Sequence, residues 1–358
     1  MFFRFIITYY LKYFFIIFLA LELFFVAIDT LKYVDDLPDS ANLFILFLFY
    51  DSIYAMSYTL PISLVLSAIM FLITFLKSNQ LTALLALGYS RLQILKPVVL
   101  VASLITCLHI GLDCTSFAYA QESAESIVSN QAVLNTRQDV LLKFDNKYIF
   151  MGKIYPLENG GAKAERIKIF ELENRELRSY YEAKTALFVD DVWRLDDVAY
   201  LVINDKLELG STALTKIALS QLEVLKGFRP KVLDTFSQDK PTVSILDAID
   251  TLFISFEQGT NTIKMRAILY ALVIVPFFVP LSIFIIAAFI PSLARYGNLA
   301  LISFACIVGA LIIWGLFFSF SELSISGILQ PELGVLLPFF ILFCVSMYFL
   351  RKINTKFI

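Results

Sequence analysis

The sequence predicts an α-helical polytopic membrane protein with six transmembrane helices, three on each side of an inserted all-β domain. Three observations predict it. Of the 358 residues, 59% are hydrophobic and only 17% charged, with 35 Phe and 17 Tyr. A soluble chain averages about 45–50% apolar and about 25% charged. Six apolar runs are long enough to cross a bilayer, which takes about 20 residues. Between the third and fourth lies a polar block, about 120–263, in which apolar and polar residues alternate between turn-forming pairs.

The first span runs from Phe5 to Ile28, interrupted by Lys12 and Glu22. Its apolar run is too long for a secretory signal, and no small-x-small cleavage site follows before Asp29. It reads as a retained helix. Leu43 to Leu76 is too long for one simple crossing. Asp51 and Pro61 divide it into an interfacial, aromatic-rich part, Leu43 to Tyr58, and a span, Leu60 to Leu76. The third span is Val98 to Phe117. Spans four to six are Ala267 to Ile290, Leu299 to Phe320 and Val335 to Leu350. Pro276 and Pro280 should bend span four, as a structural kink or as a hinge.

Orientation follows from Lys and Arg in the short loops. With the N-terminus inside, the inner side holds Arg4, Lys12, Lys77, Arg91, Lys96, Arg295, Arg351, Lys352 and Lys356, whereas the outer short loops hold only Lys32. Nine against one places both termini in the cytoplasm. The polar block then lies on the far side, the periplasm of a bacterium.

Within that block, Val140–Phe144 and Lys147–Met151 flank Asp145-Asn146 as a hairpin. Further strands are expected over Arg166–Leu172, Leu177–Val189, Val192–Leu195 and Val198–Ile203. Ala183, Thr185, Leu187 and Val189 should share a face, and Asp190-Asp191, Asp196-Asp197 and Asn204-Asp205 should mark turns. Short strands with polar turns suggest a sandwich or jellyroll. Thr242 or Ser244 then caps an amphipathic helix with Ile245, Ile249, Leu252 and Phe256 on one stripe, ended by Gly259. The expected division is 1–119 for spans one to three, 120–263 for the β domain and its helix, and 264–358 for spans four to six.

Motifs narrow the function by exclusion. No GxxxxGK[ST] occurs, so no P-loop nucleotide site is present, and HExxH, GxSxG and paired-Cys motifs are missing as well. One histidine, His109, cannot support a triad and reads as a bundle-interior residue. Cys107, Cys114, Cys306 and Cys344 all lie in apolar runs, so no disulfide framework is expected in the polar block, and Cys107 and Cys114 read as small buried residues. No catalytic, cofactor-binding or metal-binding set emerges, and a net charge of −2 without a basic arm points away from nucleic acid. Of the intramembrane acids, Asp51 and Asp113 are expected near the outer interface, where solvation is cheap. Glu22 lies deeper and could face a partner or a cavity. It is the one feature favouring a proton-coupled secondary transporter. A membrane-anchored sensor or scaffold with a ligand-binding β domain is the other alternative.

Two segments remain unexplained by lipid alone. Lys77 to Pro97, KSNQLTALLALGYSRLQILKP, is short, basic and helix-prone, with no Asp or Glu to pair its cations. Leu81, Leu84, Leu85 and Leu87 form an apolar stripe that must pack on the membrane, on its own bundle or in a partner's groove. Gly88 suits a helix end and Ser90 a new cap. Lys32, just beyond span one, is either an interfacial anchor or a point charge for an anionic headgroup.

On these residues the chain resembles the lipopolysaccharide export permeases of the LptF/LptG family. Asn79-Gln80-Leu81 through Ala86, Gly88, Ser90 and Arg91 follows the family's S-E-L-x-x-M-x-A-x-G-x-[ST]-[RK]. Gln80 stands where the motif has Glu, and Leu84 where it has Met. Lys32-Tyr33-Val34-Asp35-Asp36-Leu37 looks like the K-F-V-D-x-L of the LptG branch, while that branch's further basic pair falls at Pro38 and Asp39. Ile167–Leu172 and the segment from Ala183 to Val198 also resemble LptG more than LptF, and PELGVLLP at 331–338 resembles the start of the last span in both. The resemblance implies a permease subunit, not an enzyme, in the Gram-negative inner membrane. The β insert would be a periplasmic jellyroll. Implied partners are an LptF-like permease, an LptB-like ATPase dimer, an LptC-like single-span protein and an LptA-like periplasmic bridge. Gln80, Leu81, Leu84, Leu85, Gly88, Ser90 and Arg91 would form the ATPase-coupling helix, near 78–91, and Lys32 would meet lipid phosphate. No cofactor is implied.

Overall fold

A computed structural model describes residues 2–38, 40–128, 137–144, 147–156, 162–173, 176–189, 192–203, 214–226, 242–257, 262–291, 293 and 298–355. They form two compact units. One holds residues 1–129, 244–249 and 263–358; the other holds 130–243 and 250–262. The six helices long and apolar enough to span a membrane all lie in the first unit, and the inserted unit is a β-sheet.

α1 (Phe2–Lys32) is followed by α2 (Ala41–Lys77), a single uninterrupted helix rather than the interfacial part and separate span expected from Asp51 and Pro61. At about 1.5 Å per residue its 37 residues rise roughly 55 Å, well beyond a hydrocarbon core of about 30 Å. Pro61 removes the backbone donor for the Ser57 carbonyl, yet the helix continues, with Leu60, Leu64 and Val65 around it packed in the bundle core. α2 is the centre of the bundle: 78% of its most apolar window is buried, against 6% for α1. α1 therefore presents most of its apolar surface to lipid or to another chain.

α3 (Gln80–Ala86) and α4 (Arg91–Asp113) follow. The third span starts seven residues before the expected Val98, because a capping box joins Ser90 and Gln93: Gln93 N donates to Ser90 Oγ and Ser90 N to Gln93 Oε1. Hydropathy marked the bilayer edge, not the helix start. A 3-10 turn (Ser116–Tyr119) leads into α5 (Ala120–Val128). The first residues of the block expected to be β are thus helical, with Ala124 and Ile127 packed on Phe47 of α2.

α6 (Ile245–Glu257) starts at Ser244, whose Oγ accepts from Asp247 N at 3.2 Å. Asp247 in turn accepts the Tyr119 hydroxyl. Burial, followed by that carboxylate, raises the Tyr119 pKa. Ile245, Ala248 and Thr251 are buried, whereas Phe256, expected on that stripe, is exposed. Gly259 lies outside the described residues. Span four is α7 (Ile263–Val273), a 3-10 turn (Val275–Phe277) and α8 (Phe278–Phe289), broken where Pro276 lacks an N–H. Pro280 falls in the first turn of α8, where no donor is needed.

α9 (Leu299–Ile325) and α10 (Leu337–Thr355) are joined through a π-helical turn, Glu332–Leu336, which Arg266 of α7 pairs with at Glu332. Gly334 in that turn lies against the Ser324 side chain, and a Cβ there would also stand 3.0 Å from the Phe320 carbonyl. Gly334→Ala is expected to destabilise the bundle by about 1–3 kcal/mol through overpacking. Adding Ser324→Ala should recover part of that loss, since the carbonyl cannot move aside. Melting curves of the single and double variants in detergent check it.

The inserted unit is one antiparallel sheet in sequence order: β1 (Arg137–Phe144), β2 (Lys147–Pro156), β3 (Ala162–Glu173), β4 (Glu176–Val189), β5 (Val192–Ile203) and β6 (Leu214–Val224). β1 and β2 form the expected hairpin, with Phe144 opposite Lys147. Asp196-Asp197 is not a turn. β5 runs through it, with Asp197 held at φ 55°. Nor do Ala183, Thr185, Leu187 and Val189 share one face, because Ala183 and Ala186 are the buried pair and Leu187 and Val189 are exposed.

These two departures have one cause. Buried positions change parity along four neighbouring strands: Ile149, Met151 then Ile154; Ala162, Ala164 then Ile167, Ile169; Ala183 then Ala186; Trp193, Leu195 then Val198. The changes align at Gly152, Arg166, Lys184 and Asp197, with Arg166 at φ 56° as well. A crease of bulge-like irregularities crosses the sheet and keeps one face apolar on both sides of it. At Gly152 the close approach is explicit, since a Cβ would strike the Arg166 side chain. Among the described residues β1 and β6 are not paired with each other, and closure of the sheet as a jellyroll is not shown.

Candidate functional site

The Lys77–Pro97 stretch makes a tight helical knuckle at one end of the bundle. α2 ends at Lys77, and Asn79 turns the chain in the left-handed region at φ 56°. α3 makes two turns and closes with Gly88 N donating to the Leu85 carbonyl and Tyr89 N to that of Leu84, at 3.0 and 3.1 Å. Gly88 sits at φ 89°, the conformation this ending needs and side chains disfavour. The Phe2 ring stacks on Tyr89 at 4.3 Å and fixes the start of α1 beside the knuckle.

The leucines divide by burial. Leu81 is inside the bundle core, and Leu84 and Leu85 are half-buried against it. Ala83, Ala86 and Leu87 face outward, Leu87 with 73% exposure. Gln80 is half-buried, and its Oε1 has no hydrogen-bond partner. Arg91 departs furthest from the expected docking role. It is only 8% exposed, and its Nη2 donates to the carbonyls of Ala287 and Ile290 at 2.8 and 2.5 Å. Those carbonyls end α8, so Arg91 ties the knuckle to span four and neutralises a helix C-terminus. The sequence carried a faint sign of this, a cation with no acid in its own segment and a helix end at Ile290-Pro291.

Lys32 lies at the other end of α1, roughly 45 Å from Phe2 at helical rise. It is therefore not brought together with the α3 residues. Its side chain is exposed; Nζ donates to the Tyr33 hydroxyl at 2.9 Å and stands 3.8 Å from Asp29. Asp39 lies outside the described residues.

The intramembrane acids are more enclosed than interfacial positions suggest. Asp51 is 1% and Asp113 4% exposed. Span ends were placed by hydropathy, which cannot see that α5 and the 3-10 turn cover this end of α2 and α4. Glu22 is half-buried and accepts a hydrogen bond from Thr59 Oγ1. His109 is buried in the bundle, as expected of it, with Nδ1 3.9 Å from Asp113 Oδ2. Of the two cysteines expected to be buried, Cys107 is exposed and Cys114 half-buried; Cys306 is buried and Cys344 exposed. Among the described residues no group of three His, Cys, Asp or Glu is placed to hold a metal ion.

A family model, lipopolysaccharide export system permease LptF/LptG, matches residues 4–352. No curated protein matches the sequence.

Proposed function

The chain belongs to the LptF/LptG family of lipopolysaccharide export system permeases, and from that membership we propose that it is one half of the membrane portion of an ABC-type lipopolysaccharide extractor. The family match over nearly the whole chain carries this reading. On it, the chain is closer to LptG, pairs with an LptF-like permease, and sits over an LptB-like ATPase dimer with an LptC-like protein beside it. Energy enters from the ATPase, because the sequence has no nucleotide motif of its own. Both termini and α3 lie in the cytoplasm of a Gram-negative cell, as the nine-to-one distribution of short-loop cations favours. Lys32 and the β domain then lie on the periplasmic side.

α3 is the coupling helix, with its outward residues Ala83, Ala86 and Leu87 and the half-buried Leu84 and Leu85 offered to an ATPase groove. Arg91 would transmit motion of α3 to span four. The β domain would be a jellyroll, its apolar face receiving acyl chains and passing them to an LptA-like bridge. The test is to purify the tagged full-length chain in mild detergent and reconstitute what comes with it. A second six-span permease and an ATPase are expected, with ATP hydrolysis that depends on lipopolysaccharide. A chain that purifies alone and hydrolysis indifferent to lipid would overturn the reading.

At the other end, Lys32→Glu is expected to reduce photocrosslinking of lipopolysaccharide near the end of α1 several-fold, leaving ATPase assembly unchanged. The charge reversal sets a carboxylate beside Asp29 against lipid phosphate, and like charges repel. Unaltered crosslinking would make Lys32 an interfacial anchor instead.

A further inference from the structure

α2, α4, α7 with its 3-10 turn, and α9 enclose a cavity of about 220 Å³. That is small for a whole lipid and suits a headgroup or the end of an amphiphile. Its charged lining is acidic. Asp113 and Glu322 bring carboxylates, and no Lys or Arg lines it. Ser321 and His109 line it too, 7% and 4% exposed, and Ser321 Oγ and both His109 ring nitrogens have no hydrogen-bond partner in the protein. The backbone adds to this set. Pro61 has no N–H for the Ser57 carbonyl four residues before it, nor Pro276 for that of Leu272, and all four residues line the cavity.

The lining is also aromatic. Tyr58 meets Phe318 edge-on at 5.9 Å, and Phe318 stacks with Trp314 at 5.9 Å. Carboxylates, neutral acceptors and a run of aromatic faces ask for a ligand that is positively charged, rich in N–H donors and joined to something apolar. A phosphate or carboxylate would meet the Asp113 carboxylate here, and a hydrocarbon chain would leave Ser321 and His109 unsatisfied. Aromatic faces beside a carboxylate are the surroundings in which ammonium groups are held.

We propose that this intramembrane cavity binds an alkylammonium group, supplied by an aminophospholipid headgroup or by a free cationic amphiphile. Asp113 takes the charge, Ser321 and His109 accept from the remaining N–H groups, and Trp314 and Phe318 cover the adjoining carbons. The proposal rests on the bundle alone and stands apart from the transport reading.

Native mass spectrometry of the full-length chain in detergent tests it, with phosphatidylethanolamine, phosphatidylglycerol of the same acyl chains, and n-decylammonium chloride as probes. One saturable phosphatidylethanolamine or decylammonium adduct is expected, with phosphatidylglycerol bound about tenfold more weakly. Asp113→Asn and Trp314→Leu should each weaken the adduct about tenfold. Binding of decylammonium without phosphatidylethanolamine supports the ammonium site and makes its source a free amphiphile. Equal binding of the two lipids, binding of neither amine, or unchanged affinity in Asp113→Asn overturns the proposal. If Trp314→Leu melts lower than the parent, the near-isosteric Asp113→Asn decides.

Discussion

Arg91→Ala is expected to destabilise the bundle by about 3 kcal/mol and to separate ATP hydrolysis from lipid release. The guanidinium is buried and donates to two carbonyls at the end of α8. Hydrogen bonds to a charged group contribute about 1.5–3 kcal/mol each, and truncation also strands two buried acceptors. The effects are not additive, so the lower part of the summed range is the right expectation. Lys in place of Arg should rescue part of the loss, because one nitrogen, Nη2, makes both bonds and an ammonium can also donate twice, though from a shorter side chain. Melting of the purified chain reads the first effect. The second needs the reconstituted complex: hydrolysis should persist while release of lipopolysaccharide falls, since α3 remains docked but no longer moves span four. Parental melting and parental release together would show that Arg91 is only a surface cation, against its burial.

That prediction could not have come from the sequence. The six apolar runs were legible because bilayer thickness imposes a length and composition on any span. The β insert was legible because alternation and turn residues report a pleated surface with one buried face. Hydropathy failed where a helix outruns the bilayer. α2 continues through Asp51 and Pro61, and α4 begins at Arg91, because packing in the bundle core and a capping box settle helix continuity and helix start. Neither registers in a window average. The sheet shows a similar limit. Asp196-Asp197 has the residues of a turn, but pairing to β4 and β6 continues in the same register on both sides of it and keeps it in the strand, with Asp197 at φ 55°. The parity change it causes hid the true inward face of β4. Within the site, Gly88 and Ser90 were readable because their roles are local. Arg91 and Leu81 were not, because their partners lie in other helices.

The split among the leucines turns the docking surface into a graded test. Leu87→Asp is expected to abolish co-purification of an ATPase while the chain inserts and melts normally, because Leu87 is 73% exposed and touches little of its own bundle. An apolar anchor at the centre of an interface contributes about 2 kcal/mol or more, and a charge there must also be desolvated, so binding should fall by at least about 30-fold. Leu81→Asp should act quite differently. Its side chain is 2% exposed within the bundle core, so an aspartate there disrupts folding, and any loss of ATPase follows from loss of the chain. Leu84→Asp and Leu85→Asp, half-buried between core and surface, should lower both melting temperature and co-purification. Pull-down yields normalised to folded protein separate these cases. If Leu87→Asp keeps its ATPase while Leu84→Asp loses it at parental stability, the docking face is the inner leucine pair, and α3 must lift from the bundle to engage. If neither loses it, α3 is a packing element and energy enters elsewhere.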